Sequence, residues 1–225
     1  TSIIGSLRFS KLFAPSSDNF ELDGKFEKIS SNYEELVALL PRVLGNTIPS
    51  GFKALGRFNL SGQANVTKES VKAVMDVNTN IGDFFIDLNL YEIELIDNAS
   101  YTGEIRFTDF NLGKAIGEPM IGLVTSSLRI DGSGFSKENI SSDIKGVIDS
   151  FVFRGYDYSK LQLSGVVMNK VFNGQLDTAD TNLKLNFSGL VDFSGAENIY
   201  DFSALIDYAN LNALQLVARD QISIL

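Results

Sequence analysis

Apolar and polar residues alternate with a period of two along most of the 225-residue chain, in short runs broken by Gly, Asn, Asp and Ser. The runs fall at 56–66, 70–78, 83–96, 101–107, 125–134, 142–155, 160–168, 170–176 and 183–195, with another in the opening SIIGSLRF. In LKLNFSGLVDFSG, Leu183, Leu185, Phe187, Val191 and Phe193 share one face, while Lys184, Asn186, Ser188 and Asp192 fall mainly on the other. Such patterning predicts an all-β protein of mainly antiparallel strands joined by short turns.

One theme recurs within the runs. A large apolar or aromatic residue is followed two positions later by glycine at Leu60/Gly62, Tyr101/Gly103, Ile130/Gly132, Ile144/Gly146, Phe153/Gly155, Leu163/Gly165, Phe172/Gly174 and Phe187/Gly189. Residues two apart point to the same side of a strand, so each glycine is expected on the apolar face. A glycine there gives up packing and costs chain entropy, which makes repetition informative: it thins the concave side of a sheet and lets it coil. From Gly146 through Gly155 and Gly165 to Gly174 the interval leaves room for one strand and a tight turn, the signature of a meander. An open trough and a closed sandwich both bury alternate residues, and the alternation fits either.

One segment breaks the period. SSNYEELVALLPRVLG, 30–45, carries Tyr33, Leu36, Val37, Leu40, Val43 and Leu44 at helical spacing. Ser31 with Glu34 predicts a capping box, Gly45 a C-terminal cap, and Pro41 a kink or a split, giving a short amphipathic helical insert over about 31–45. Asn111 to Leu123, rich in Gly and Pro, reads as a loop with one helical turn.

At 44% hydrophobic the chain can bury a substantial core. Its net charge of -9, from 19 basic and 28 acidic residues, and the lack of a basic cluster argue against nucleic acid or an anionic lipid surface as a charge-driven partner. Cys and His are absent, which removes thiolate nucleophiles, disulfides and the commonest general base and metal ligand. No apolar run reaches the length of a membrane-spanning helix. DVNTNIGDFFID imitates a calcium loop through Asp76, Asn78, Asn80 and Asp87, but its glycine, Gly82, comes one place late and the last ligand is Asp; the stretch reads as a hairpin turn. Asp83 with Asp87 and Glu92 with Glu94 fall on polar positions of alternating strands and read as a solvated face rather than an acid and base pair. With no phosphate loop, nucleophile elbow or dinucleotide fingerprint, no catalytic site, cofactor or metal site is expected.

From Phe153 onward the order of motifs becomes specific: aromatic-Gly-Tyr at 153–156, Leu-x-Leu-x-Gly at 161–165, Phe-x-Gly-x-Leu at 172–176, Leu-x-Leu-x-Phe-x-Gly at 183–189 and Asp-x-x-x-Leu-x-x-Leu-x-Leu at 207–216. In this it resembles the AsmA-like proteins, specifically the TamB translocation and assembly module family of Gram-negative envelopes. DFNLGKAIGEPMIGLVTSSLRIDGSG and LPRVLGNTIPSGF are similar to the segments such proteins place before and between their strands. The resemblance implies an elongated sheet curled into an open hydrophobic groove, with 1–225 as one segment excised from a longer chain. It further implies periplasmic residence behind an N-terminal inner-membrane anchor, phospholipid acyl chains as cargo, a role in outer-membrane biogenesis and protein secretion, and an outer-membrane assembly protein of the Omp85 type as partner of a C-terminal part.

On that reading Phe58, Leu60, Phe84, Ile86, Leu88, Leu163, Phe172, Leu185 and Phe187 are the candidate groove-lining residues. An apolar surface of that extent is one a protein avoids exposing unless something binds it. Two alternatives stand beside it: a scaffold that takes nascent outer-membrane strands by β-augmentation, and a carbohydrate-binding sandwich or solenoid.

Overall fold

A computed structural model describes residues 1–10, 21–39, 50–93, 99–135, 139–192, 194, 195, 197 and 199–217. Among the described residues twelve strands form one antiparallel sheet in which order in sequence is order in space. They are β1 (Ser2–Ser10), β2 (Glu21–Asn32), β3 (Arg57–Thr67), β4 (Ser70–Thr79), β5 (Gly82–Tyr91), β6 (Ser100–Asn111), β7 (Ile121–Ser133), β8 (Ser141–Phe153), β9 (Tyr156–Met168), β10 (Val171–Ala179), β11 (Leu183–Asp192) and β12 (Ile199–Ala209). The sheet curls but does not close, and β1 and β12 are the first and last of its described strands. The predicted all-β antiparallel meander with an open groove is the architecture observed.

Alternation places one side chain in two on each face, and six register irregularities adjust it locally. One of them lies between Phe107 and Phe110, where Asp109 takes a φ of 47° and its amide donates to Thr125 Oγ1 at 3.1 Å. The extra residue brings Phe107 and Phe110, three apart, onto the same side, with ring centroids 4.9 Å apart. Strict alternation would have sent Phe110 to solvent.

The helical pieces sit at one margin of the sheet, where strands end. A 3-10 helix (Ser50–Leu55) precedes β3, and α2 (Leu112–Ile116) follows β6, capped by the Asn111 side chain, which accepts from the Lys114 amide at 2.9 Å. Under them Leu55, Phe58, Val77, Ile81, Phe110 and Val124 form a buried core. The other predicted helix begins at Tyr33 as α1 (Tyr33–Leu39). Its cap is one residue later than the sequence pattern suggests: Asn32, not Ser31, accepts from the amide of Glu35 at 2.9 Å. Pro41 and Gly45 lie outside the described residues.

Beside this core Ser126 is 2% exposed, and its hydroxyl has no hydrogen-bond partner among the described residues. An unsatisfied buried hydroxyl costs more than it contributes. Ser126→Ala is therefore expected to raise the free energy of unfolding by about 1 kcal/mol, measurable by urea denaturation.

A second buried group does the opposite. Asp180, 3% exposed, follows β10 and accepts from the Tyr156 hydroxyl at 2.5 Å, the Ser159 hydroxyl at 2.7 Å, the Ser159 amide at 3.0 Å and the Asn182 amide at 2.8 Å. Burial pushes its carboxyl up, and these hydrogen bonds together outweigh burial and leave it below the ordinary aspartate value. Its contribution is thus complete above the unfolded value and lost as pH falls through the folded one. Asp180→Ala strands four donors and is expected to cost about 3 kcal/mol. The wild type should also lose more stability than Asp180→Asn as pH drops below about 4, which denaturation at several pH values checks.

Candidate functional site

Cross-strand pairing turns the alternation into continuous rows, because paired residues on antiparallel neighbours face the same way. Four such rows cross all twelve strands on the apolar side. The first runs from Phe9 and Leu22 through Leu90, Tyr101, Val167 and Phe172 to Tyr200. The second runs from Leu7 through Leu88, Gly103, Ile130 and Gly174 to Phe202, and the third from Gly5 through Ile86, Leu128, Leu163 and Phe187 to Ala204. The fourth links Ile3, Leu60, Phe84, Leu161, Leu185 and Ile206. No Asp, Glu, Lys or Arg stands in any of the four rows.

All nine residues singled out from the sequence fall on this side. Leu60, Phe84 and Leu185 share the fourth row, Ile86, Leu163 and Phe187 the third, Leu88 the second and Phe172 the first. These eight are half-buried, the state expected of a wall that no second layer covers. Phe58 differs. At 4% exposure it belongs to the core under the 3-10 helix and braces the margin of the groove rather than lining it.

The glycines explain how the wall can curve. Gly165, Gly174 and Gly189 are consecutive partners in the second row, so three adjacent strands meet there without side chains. A Cβ on Gly165 would come within 2.7 Å of the Gly174 Cα, closer than real contacts allow. Gly62 sits between Phe26 and Met75, where a Cβ would meet the Val74 carbonyl oxygen, and Gly146 sits between Leu128 and Leu163, where the Leu128 side chain stands 3.0 Å from the place of a Cβ. Gly155 is the exception to the predicted theme: with Arg154 it forms the turn between β8 and β9, not part of the inner face.

The outer face is mainly polar, with Ile4, Val147, Val166, Met168 and Leu205 as exposed apolar exceptions, and several of its polar groups pair with one another. Arg106 lies 4.1 Å over the Phe85 ring and 3.2 Å from Glu104, shielding an outward aromatic. Asn65 donates to Asp23 at 2.7 Å and to Glu21 at 2.9 Å. Asp83 and Asp87 are exposed on this face, on separate positions of β5, and Glu94 lies outside the described residues. The calcium-like stretch forms the hairpin between β4 and β5, its turn fixed by Thr79, whose Oγ1 accepts from the Ile81 amide at 3.1 Å. Among the described residues no group of three or more carboxylates is placed to hold a metal. Two open hollows, of about 690 and 440 Å³, are walled mainly by outer-face polar residues such as Arg8, Asp23 and Lys25 in the first and Asp177 and Asn186 in the second. Neither gathers reactive groups.

The groove also uses residues that alternation alone did not mark, on β2 and β12. Within β2, Leu22, Gly24 and Phe26 keep one phase and Ile29 the other, because a bulge between Phe26 and Ile29 interrupts the period. In β12, Leu205 and Ile206 are adjacent and both exposed, so neither phase stands out. Continuity of the rows is the signal that recovers them. The chain matches no family model, no curated protein and no solved structure.

Proposed function

We propose that the groove carries the acyl chains of phospholipids, holding them away from water while letting them slide, as the resemblance to TamB and other AsmA-like proteins implies. The observation that carries this reading is the set of four uninterrupted, uncharged rows. Eleven strand spacings give the groove a length of about 53 Å along the hydrogen-bonding direction. At about 0.8 kcal/mol per methylene, a sixteen-carbon tail gains on the order of 12 kcal/mol on leaving water. Such contacts have no direction, so movement along the rows breaks nothing that is not remade at the next strand. Glycine and alanine make up much of the second row, and the rings of Phe26 and Phe172 lie over Gly24 and over Gly165 and Gly174, giving that part of the wall an aromatic surface. Charged groups at the margin, Lys53, Arg57, Lys114 and Arg154, are exposed where polar head groups need water. No catalytic step is assigned to the chain. Its setting on this reading is the periplasm, between an inner-membrane anchor and the outer membrane.

A photoreactive amino acid at position 163, inside the groove, is expected to label acyl chains when the protein meets phospholipid vesicles. The same group at 162, on the outer face of β9, should label little. Equal labelling at the two positions, or none at 163, contradicts the proposal.

A further inference from the structure

We infer that the loop leading from α2 into β7 is a membrane-contact surface, which seats the helical margin of the sheet on a phospholipid bilayer. Ile116, Met120 and Leu123 are 43%, 48% and 40% exposed, and every residue from Ile116 to Met120 is exposed. Single exposed apolar side chains are ordinary on protein surfaces. Three on one short loop, with charged neighbours around them, are the pattern of a contact site. None of the three belongs to the four rows, so the inference goes beyond the acyl-chain reading and stands on different residues.

The loop is held in shape by its own backbone. The Gly113 carbonyl accepts from the amides of Gly117 and Glu118, both at 2.8 Å, the Ile121 amide donates to the Glu118 carbonyl at 3.1 Å, and the Arg154 amide donates to the Met120 carbonyl at 2.8 Å. Gly117 turns the chain with a φ of 80°, and a Cβ on Gly113 would run into the Ile121 carbonyl oxygen. A bilayer therefore meets a tip that is already ordered, and little chain entropy is lost on contact. Because these hydrogen bonds are made within the fold, the apolar side chains enter the boundary between head groups and acyl chains without carrying unpaired backbone with them.

Cations flank the tip. α2 packs against the 3-10 helix, which puts Lys114 and Lys53 on adjoining helices, and Arg154, whose amide holds the Met120 carbonyl, stands in the turn between β8 and β9. All three are exposed. Against them the 3-10 helix, α2, its loop and that turn carry one acid, Glu118. The phosphates of a bilayer complement this arrangement. Lys is depleted in interfaces between proteins, which favours a lipid surface over a protein partner. The net charge of -9 supplies no long-range attraction to an anionic membrane, so insertion sets the contact and the cations act only within a Debye length, about 8–10 Å.

The chain has no Cys, which lets a single engineered thiol carry a dye. An environment-sensitive fluorophore on Met120→Cys should shift to the blue when phosphatidylcholine vesicles are added. On Lys170→Cys, exposed in the turn between β9 and β10 at the opposite margin, it should not shift. In vesicle flotation the Ile116→Ser, Met120→Ser double variant should bind about tenfold more weakly than the wild type. Lys53→Glu with Lys114→Glu should weaken binding about tenfold to vesicles that also contain phosphatidylglycerol, and less than about twofold to phosphatidylcholine alone. The groove variant Leu163→Asp, Phe187→Asp should float within about twofold of the wild type, so failure of the acyl-chain reading and failure of this one are told apart. Absence of wild-type flotation, an equal dye shift at 120 and 170, or wild-type affinity in the Ile116, Met120 pair would each overturn the inference. So would loss of binding in the groove variant, unchanged affinity of the Lys53, Lys114 pair for phosphatidylglycerol vesicles, or self-association abolished by the Ile116, Met120 pair without vesicle binding, which would assign the tip to a second copy.

Discussion

Gly103→Ala is expected to cost about 3 kcal/mol or more, although it adds a single methyl group. Gly103 has a φ of 152°, in a region where L side chains are rarely found, and lies opposite Leu88. A Cβ there would run into the Asp87 carbonyl oxygen and stand 3.0 Å from the Leu88 Cα. Backbone strain of about 1–3 kcal/mol and overpacking of similar size add, because the obstacle is main chain and cannot rotate away. Against a typical total of about 5–15 kcal/mol, that is a large share. Gly117→Ala separates the two causes. Gly117 caps α2 at a φ of 80° with nothing within 4 Å of the added methyl, so it carries strain alone and should cost about 1 kcal/mol. Urea midpoints of the two variants check the difference; equal losses would mean that close strand approach contributes nothing to the curl.

The second large effect concerns the cargo. Leu163→Asp and Phe187→Asp put carboxylates into the third row, on β9 and β11, where the eight lining residues are half-buried and an aspartate keeps its water. Folding should survive, because a partly exposed carboxylate is not forced to give up hydration. A bound acyl chain, however, must leave the hydrated carboxylate uncovered, forfeiting roughly four methylenes, or about 3 kcal/mol and a hundredfold in affinity. Asp at Gln162, on the exposed outer face, should leave affinity within about twofold. Titration of a fluorescent phospholipid against the three variants measures this, and retention of wild-type affinity by the inner-face variants would count against acyl chains in the groove.

The strands from β3 to β11 were legible because their alternation is regular: Phe84, Ile86 and Leu88 inward, Asp83 and Asp87 outward. Period two requires a continuous ladder, and each misreading falls where the ladder is interrupted. β2 hides behind its bulge, Phe110 behind Asp109, and the strand expected to reach residue 96 stops at Tyr91, where Glu92 turns with a φ of 57°. β12 alternates over Tyr200 to Ala204 and then loses the phase, because Leu205 and Ile206 are adjacent and both apolar. The glycine theme located the inner face at seven of its eight positions, and only pairing shows why. Gly165, Gly174 and Gly189 matter as one row, and no single strand contains that information. The groove's walls could thus be named from sequence, whereas its continuity depends on register set by turns and bulges.

Lipid extraction from the purified full chain, followed by mass spectrometry, decides most directly whether the uncharged rows shelter hydrocarbon. Two-chain phospholipids recovered with the wild type and depleted from the Leu163→Asp, Phe187→Asp double variant are the predicted result. A wild-type protein that is folded and stable yet carries no acyl lipid, before and after exposure to phospholipid vesicles, would contradict it.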